Sequence, residues 1–276
     1  MTSKIRSAGL LFLLLLGGAW HSPVLAQTAQ VGGAAPIEVT ADQGIEWLRD
    51  QKLYRAKGNV VATRGDLTVH AQSLVAYYRG DGGSADDIYK IEALGGVVIE
   101  MPGRTASGDK GVYLLDSGTM TLTGGDLAFK TETETVTASK SLEYYQPKGE
   151  QPYAVARGDA VAVRAATNET LKGQVITAHF GPGKDGQQEV ETLAADGDVQ
   201  VETKDVFALA NQADYDTRSR LATLDGDVRI TQAGNQFNGA RAEINLETGV
   251  SRLLAGKSGR VKGLLTGGAP SRGSGN

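Results

Sequence analysis

The chain has no cysteine. That excludes a disulfide framework, thiolate metal sites and a cysteine nucleophile. Stability must come from buried area, and 276 residues are enough to supply it. Histidine is nearly as scarce. His21, His70 and His179 stand far apart, and none has a second histidine or a carboxylate cluster at ligand spacing, so no metal site is expected. Prolines number seven and aromatics make up 6%, which excludes a proline-rich linker. Yet 40% of the residues are hydrophobic, too many for a disordered chain. Basic excess is absent as well. A net charge of −4 offers nothing to a phosphate backbone, so nucleic acid is not a partner. After residue 26 no apolar run is long enough to span a bilayer, and no window keeps a helical period.

The first 26 residues read as a secretory signal peptide. Lys4 and Arg6 precede the apolar run Leu10 to Leu16, and Val24-Leu25-Ala26 forms the cleavage site, so the mature chain starts at Gln27. Loss of these two bases and no acid moves the net charge from −4 to −6. Residues 27–36 are small and polar and read as a flexible leader. Residues 263–276, rich in Gly, Ser and Pro, read as a disordered tail.

What is present is glycine, at 37 residues, and it recurs in a pattern. Gly58, Gly95, Gly125, Gly158, Gly197 and Gly226 are spaced by 37, 30, 33, 39 and 29 residues. Two residues after each stand Val60, Val97, Leu127, Ala160, Val199 and Val228. Four after each stand Ala62, Ile99, Phe129, Ala162, Val201 and Ile230. Period-two alternation is the strand signature, so one sheet face is kept apolar in six successive units. Each unit closes on a large residue: Tyr77, Tyr113, Tyr144, Phe180, Tyr215 or Ile244. Between Ala56 and Ala71 the reading is a strand, a turn at Arg64-Gly65-Asp66 and a second strand. The chain is therefore all-β, one elongated repeat domain over 37–262, each unit burying its face against its neighbours. Short, even connections favour a stacked solenoid or an open two-sheet roll. Ala41 to Asp50 reads as a short turn or a single helical turn, and the last strands fall near Arg252–Ala255 and Gly259–Val261.

No catalytic constellation emerges. Gly181, Gly183 and Gly186 match a dinucleotide fingerprint, but an alternating run follows where a helix is required. Asn168-Glu169-Thr170 matches a glycosylation acceptor and reads as a turn. The acids beside the repeat glycines, as in Asp196-Gly197-Asp198, recur with the repeat and so read as turn and strand-start residues rather than glycosidase carboxylates. The apolar face is either a packed core or a groove for acyl chains. The alanines on it, such as Ala62, Ala160 and Ala162, leave volume that weighs toward a groove.

The segment Gly58-Asn59-Val60-Val61-Ala62-Thr63-Arg64-Gly65-Asp66-Leu67-Thr68-Val69-His70-Ala71-Gln72-Ser73-Leu74-Val75 resembles the OstA-like (LptA/LptC/LptD N-terminal) family. The opening Ile37-Glu38-Val39-Thr40-Ala41-Asp42 is also similar to the family's first strand, and the likeness extends to about Val261. The resemblance implies an open, taco-like β-jellyroll whose interior shields the acyl chains of lipopolysaccharide (its lipid A) in the periplasm, with no enzymatic activity and no cofactor. Carried onto this sequence, the lipid-binding residues are Val60, Ala62, Val97, Ile99, Leu127, Phe129, Val199, Val201, Val228 and Ile230, with Tyr77, Tyr113, Tyr144, Phe180 and Tyr215. The partners implied are inner-membrane LptC-like and outer-membrane LptD-like proteins, together with head-to-tail copies of the chain. Docking would use edge strands at Ile37 and Val39 and at Leu253 and Leu254. The chain is longer than the shortest family members, by an extra pair of units, and carries a glycine-rich tail. The competing expectation is an exported β-solenoid that is structural or acts on polysaccharide.

Overall fold

The computed structural model describes residues 37–80, 87–183, 188–245, 247–248, 250–256 and 259–265. The signal peptide, the leader up to residue 36 and residues 266–276 of the tail lie outside them. The strands are β1 (Glu38–Thr40), β2 (Ile45–Leu48), β3 (Leu53–Arg64), β4 (Leu67–Tyr78), β5 (Ile88–Met101), β6 (Arg104–Leu114), β7 (Thr119–Thr123), β8 (Ala128–Thr131), β9 (Glu134–Thr137), β10 (Ser141–Tyr145), β11 (Tyr153–Arg164), β12 (Glu169–Pro182), β13 (Gln188–Glu202), β14 (Val206–Asp216), β15 (Leu221–Gln232), β16 (Asn235–Asn245), β17 (Ser251–Leu254) and β18 (Lys262–Leu264). Among the described residues the one helical turn is Arg49–Gln51. It follows strand β2 rather than replacing it, so Ile45–Leu48 corrects the reading of Ala41 to Asp50 as a turn. At the other end β18 reaches Leu264, two residues into the stretch read as tail.

Every pairing is antiparallel and follows chain order. Among the described residues the strands make fourteen rungs of one ladder. Ten are continuous (β3–β6 and β11–β16), and four are broken midway: β1/β2, β7/β8, β9/β10 and β17/β18. At about 4.8 Å per step the ladder is roughly 60 Å long. Each continuous rung is bent by a bulge at the same height, between Lys57 and Val60 in β3 and between Asp196 and Val199 in β13, for example. The bends align into a crease that divides the ladder into two walls. The first wall holds residues such as Leu53–Lys57, the second residues such as Val60–Arg64.

Local chemistry sets the crease. Gly58 and Asn59, Gly158 and Asp159, Gly197 and Asp198, and Gly226 and Asp227 are successive residues of positive φ, from 42° to 83°. Glycine, asparagine and aspartate tolerate that region best, and a left-handed glycine is a known bulge device. Gly58, Gly95, Gly158, Gly197 and Gly226 therefore lie mid-strand, and the acids that follow three of them, Asp159, Asp198 and Asp227, are bulge residues rather than the strand starts expected of them. In the third position of the series the left-handed glycine is Gly124, φ 110°, one residue before Gly125. The polar side chains beside them bond along the outside of the crease. Asn59 Nδ2 donates to Asp42 Oδ2 at 2.7 Å, Gln174 Nε2 to Asp159 Oδ1 at 3.1 Å and Gln212 Nε2 to Asp196 Oδ1 at 2.8 Å. The recurring acids serve this outer spine.

Candidate functional site

Inside the crease, side chains of both walls pack into shared clusters. Ala156, Ile176, Leu193, Ala195 and Tyr215 of the first wall meet Ala160, Ala162, Leu171 and Val199 of the second. The walls therefore face one another across a trough lined by a continuous apolar surface. The two predicted series lie on it. Val60, Val97, Leu127, Ala160, Val199 and Val228 are buried at the crease itself. Ala62, Ile99, Phe129, Ala162, Val201 and Ile230 form the next row up the second wall, as cross-strand neighbours with Val69, Ala106, Val136, Leu171 and Ala208.

The closing aromatics divide. Tyr113 pairs with Ile91 and Met120, Tyr144 with Met120 and Ala154, and Tyr215 with Leu193 and Ala222, all in the inward phase of the first wall. Phe180 rests against Tyr144, with ring centroids 6.2 Å apart. Burial pushes the Tyr144 and Tyr215 hydroxyls above the ordinary phenol range. Tyr77 is on the opposite, outer face. It pairs with Lys90, and its hydroxyl donates to Glu92 Oε2 at 3.1 Å. Lys90, bonded to that carboxylate, holds Glu92 below the usual range. The inward residue of that unit is its neighbour Tyr78, buried with its ring tilted against Tyr54, and Trp47 donates its Nε1 proton to the Tyr78 hydroxyl at 2.9 Å. Sequence reasoning missed this one-residue phase shift because two tyrosines are adjacent and only one fits the alternation Leu74, Ala76, Tyr78.

Each of the four apolar clusters draws buried residues from both walls, and inward alanines of both walls are among them. One cavity of about 50 Å3, lined by Leu171, Val201, Ala208, Ala213, Tyr215 and Ile244 among others, lies between the walls of the second half. That is a third of the roughly 150 Å3 that takes up benzene in an engineered core. The two halves differ in closure. Tyr215 is 7% exposed, whereas Tyr113, which holds the corresponding place in the first half, is 37% exposed.

A buried charged group at the lip of the second wall was not foreseen. Arg164 Nη1 donates to Glu169 Oε2 at 2.9 Å, and Arg164 Nε lies 3.6 Å from Glu134 Oε1. All three are in the inward phase of β11, β12 and β9, the strands paired there. Burial raises the Glu134 carboxyl above its ordinary value even beside the arginine. The one signal for it lay in the turn Asn168-Glu169-Thr170. Asn168 does sit in a turn, at φ 57°, which places Glu169 at the strand start, opposite Arg164.

Among the described residues the histidines stand apart. His70 lies 3.7 Å from Glu100, and His179 packs on Tyr153. Among the described residues no group of three or more histidines and carboxylates stands at metal-binding distance. Gly181 lies in strand β12 and Gly183 just after it, and strand β13 follows where a nucleotide site would need a helix; Gly186 lies outside the described residues.

The predicted edges are the ends of the ladder. Among the described residues β1 and β2 pair with β3 alone, and β17 and β18 with β16 alone. Each outer flank keeps backbone N–H and C=O groups without a strand partner. Ile37 precedes β1, Val39 lies in it, and Leu253 and Leu254 end β17.

Among solved structures, the crystal structure of LptH, the LptA-homologous periplasmic component of the lipopolysaccharide transport device from Pseudomonas aeruginosa, is 12% identical; the match covers 84% of this chain and 96% of that one, with a TM-score of 0.21. Curated protein sequences give no significant match. The family model for the LptA/(LptD N-terminal domain) LPS transport protein matches twice, over residues 38–150 and again over 139–250. The chain therefore belongs to the LptA/LptD N-terminal-domain family of lipopolysaccharide transport proteins, a family of carriers rather than enzymes.

Proposed function

We propose that the chain is a periplasmic carrier and bridge. In this reading it is exported with its signal peptide cleaved after Ala26, holds the lipid A acyl chains of lipopolysaccharide in the trough, and passes the lipid from the inner toward the outer membrane. The observation that carries this reading is the apolar inner face, which runs through every rung from β3 to β16. Burial of each methylene is worth about 0.8 kcal/mol, so acyl chains need no specific polar contact to bind. They do need room. The walls part to admit them, with Val60, Ala62, Val97, Ile99, Leu127, Phe129, Val199, Val201, Val228 and Ile230 of the second wall facing Tyr113, Tyr144, Phe180 and Tyr215 of the first. The ladder's two edges dock by strand addition. Their partners are an inner-membrane LptC-like protein, an outer-membrane LptD-like protein and further copies of the chain.

Site-specific photocrosslinking in cells making lipopolysaccharide tests the carrier. A crosslinking residue at Ile99, Phe129, Val201 or Tyr113 is expected to capture the lipid. One at Thr63 or Arg229, in the outward phase of β3 and β15, is expected to capture none. Adducts at neither set, from folded protein at normal level, would leave the interior a solid core and end the carrier reading.

A further inference from the structure

The four broken rungs are not scattered. β1/β2 opens the ladder, β17/β18 closes it, and β7/β8 and β9/β10 stand side by side in the middle. Each has extra chain at the crease. Rungs that run from the first wall to the second take six residues from one inner row to the other: Ala56 to Ala62, Ala93 to Ile99, Ala195 to Val201. β7/β8 takes seven, Leu122 to Phe129, and β17/β18 ten, Leu253 to Gly263. Rungs of the opposite direction take five, as in Val69 to Leu74 and Leu171 to Ile176. β9/β10 and β1/β2 take six, Val136 to Leu142 and Val39 to Ile45. A bulge absorbs one extra residue; one more breaks the strand.

The middle pair also divides two similar halves. Ala56-Lys57-Gly58-Asn59-Val60-Val61-Ala62-Thr63-Arg64 returns 100 residues later as Ala156-Arg157-Gly158-Asp159-Ala160-Val161-Ala162-Val163-Arg164. The preceding rung docks on both in the same way. Asp42 N and Gln43 N donate to Gly58 O and Lys57 O at 2.8 and 2.9 Å, and Ser139 N and Lys140 N to Gly158 O and Arg157 O at 2.7 and 2.9 Å. So β9/β10 opens the second half as β1/β2 opens the first.

We propose that β7/β8 against β9/β10 is an end-to-end docking contact already joined within one chain, and that a second copy adds β1/β2 to β17/β18 by the same contact. This rests on the edge-docking reading above and fixes its register. Direction agrees. β17/β18 runs from first wall to second as β7/β8 does, and β1/β2 runs back as β9/β10 does, so the new pair is antiparallel. Apolar cover agrees. At the internal seam Leu142 faces Leu122. Its counterpart at the free edge is Ile45, 54% exposed, and Leu253 holds the place of Leu122 in the inner row of β17, opposite Ala242. Ile45 of one copy therefore meets Leu253 of the next. Charge agrees too. One residue along, Arg252, which pairs with Glu243 on its own sheet, falls opposite Glu46, which pairs with Arg55 on its own. The outer face then alternates Glu243, Arg252, Glu46, Arg55 across the junction, the cross-strand order that opposite charges favour. The two edges differ, so copies add in a line without closing.

The absence of native cysteine makes the test clean. Full-length chain carrying Ile45→Cys and Leu253→Cys is oxidised mildly and run on a denaturing gel. Ile45→Cys with Arg252→Cys, one residue out of register and on the other face, is the comparison, and Leu122→Cys with Leu142→Cys is the internal control. The expected result is an internal link in the control and a series of chain multiples from the 45/253 variant, about tenfold or more above the 45/252 variant. Assembly in the ultracentrifuge without the 45/253 link would overturn the shared contact while leaving edge docking in place. No assembly at any concentration would overturn both, and the lipid adducts at Phe129 and Val201 would still report on the carrier separately. A control that fails to link internally would overturn the seam itself.

Discussion

At Gly197 the backbone sits at φ 76°, and a Cβ there would lie 2.8 Å from Gln174 Cγ. Gly65 is also left-handed, at φ 58°, but has nothing within 4 Å. Comparing the two separates strain from crowding. Gly65→Ala is expected to cost about 1–2 kcal/mol from backbone strain alone. Gly197→Ala is expected to cost clearly more, because the crease spine must also move. Urea unfolding of both variants checks this, and equal losses would show that the crease is not tightly packed. The buried charged group at Glu134, Arg164 and Glu169 makes a second prediction at this scale. Arg164→Met leaves two carboxylates buried without their arginine and is expected to cost about 3–5 kcal/mol. Glu134→Gln should act the other way at neutral pH. Its folded carboxyl titrates above the unfolded value, so the native state binds more protons in the window between the two, and stability falls as pH rises through the folded value. The glutamine variant lacks that loss. The gap between variant and parent should therefore grow in the variant's favour from pH 4 to pH 7. A gap that is constant over that range would mean that Glu134 titrates normally.

At the scale of the element, the crease is a counting device. A continuous rung spends five or six residues between inner rows, and every side chain beyond the crease keeps its face only if that number holds. Deleting Asp198 takes β13 from six residues to five and turns Val199 and Val201 outward, so the chain is expected to lose cooperative folding. Deleting Gly125 takes β7/β8 from seven to the six of its class, so the fold should survive with a joined strand and slower amide exchange at Asp126 and Leu127. Hydrogen exchange and urea unfolding read both, and a Gly125 deletion as harmful as the Asp198 deletion would sink the count. The same count explains what the sequence made legible. Alternation found the second-wall rows, because glycine and the apolar residues two and four places on share one strand half. The first-wall row was blurred, since the distance back across the crease changes with strand direction, and at Tyr77 and Tyr78 either residue satisfied a rough count. The internal doubling was also written in the spacings, where 37 and 30 return as 39 and 29. The charged trio was not legible, because its members lie in three strands and meet only once the ladder is paired.

For the whole molecule, on the proposed carrier reading, the governing balance is between wall-to-wall contact and lipid contact. Both use the same inner face, so free energy gained by one is withheld from the other. The alanines of the inner rows matter here. They let the walls approach closely, and on the carrier reading they keep that mutual contact weak enough to be exchanged for acyl chains at about 0.8 kcal/mol per methylene. Ala213 lines the cavity between the walls of the second half. Ala213→Val adds two methyl groups where space exists, and is expected to stabilise the chain by up to about 1 kcal/mol. If the trough opens to bind, that gain must be given back on binding, so the affinity for lipopolysaccharide should fall by about fivefold for each kcal/mol gained. Thermal unfolding measures the first quantity, and displacement of a fluorescent acyl lipid from the same preparation measures the second. A variant that is more stable and binds with unchanged or higher affinity would show that lipid does not enter between these walls, and would move the binding surface to the first half, where Tyr113 already stands exposed.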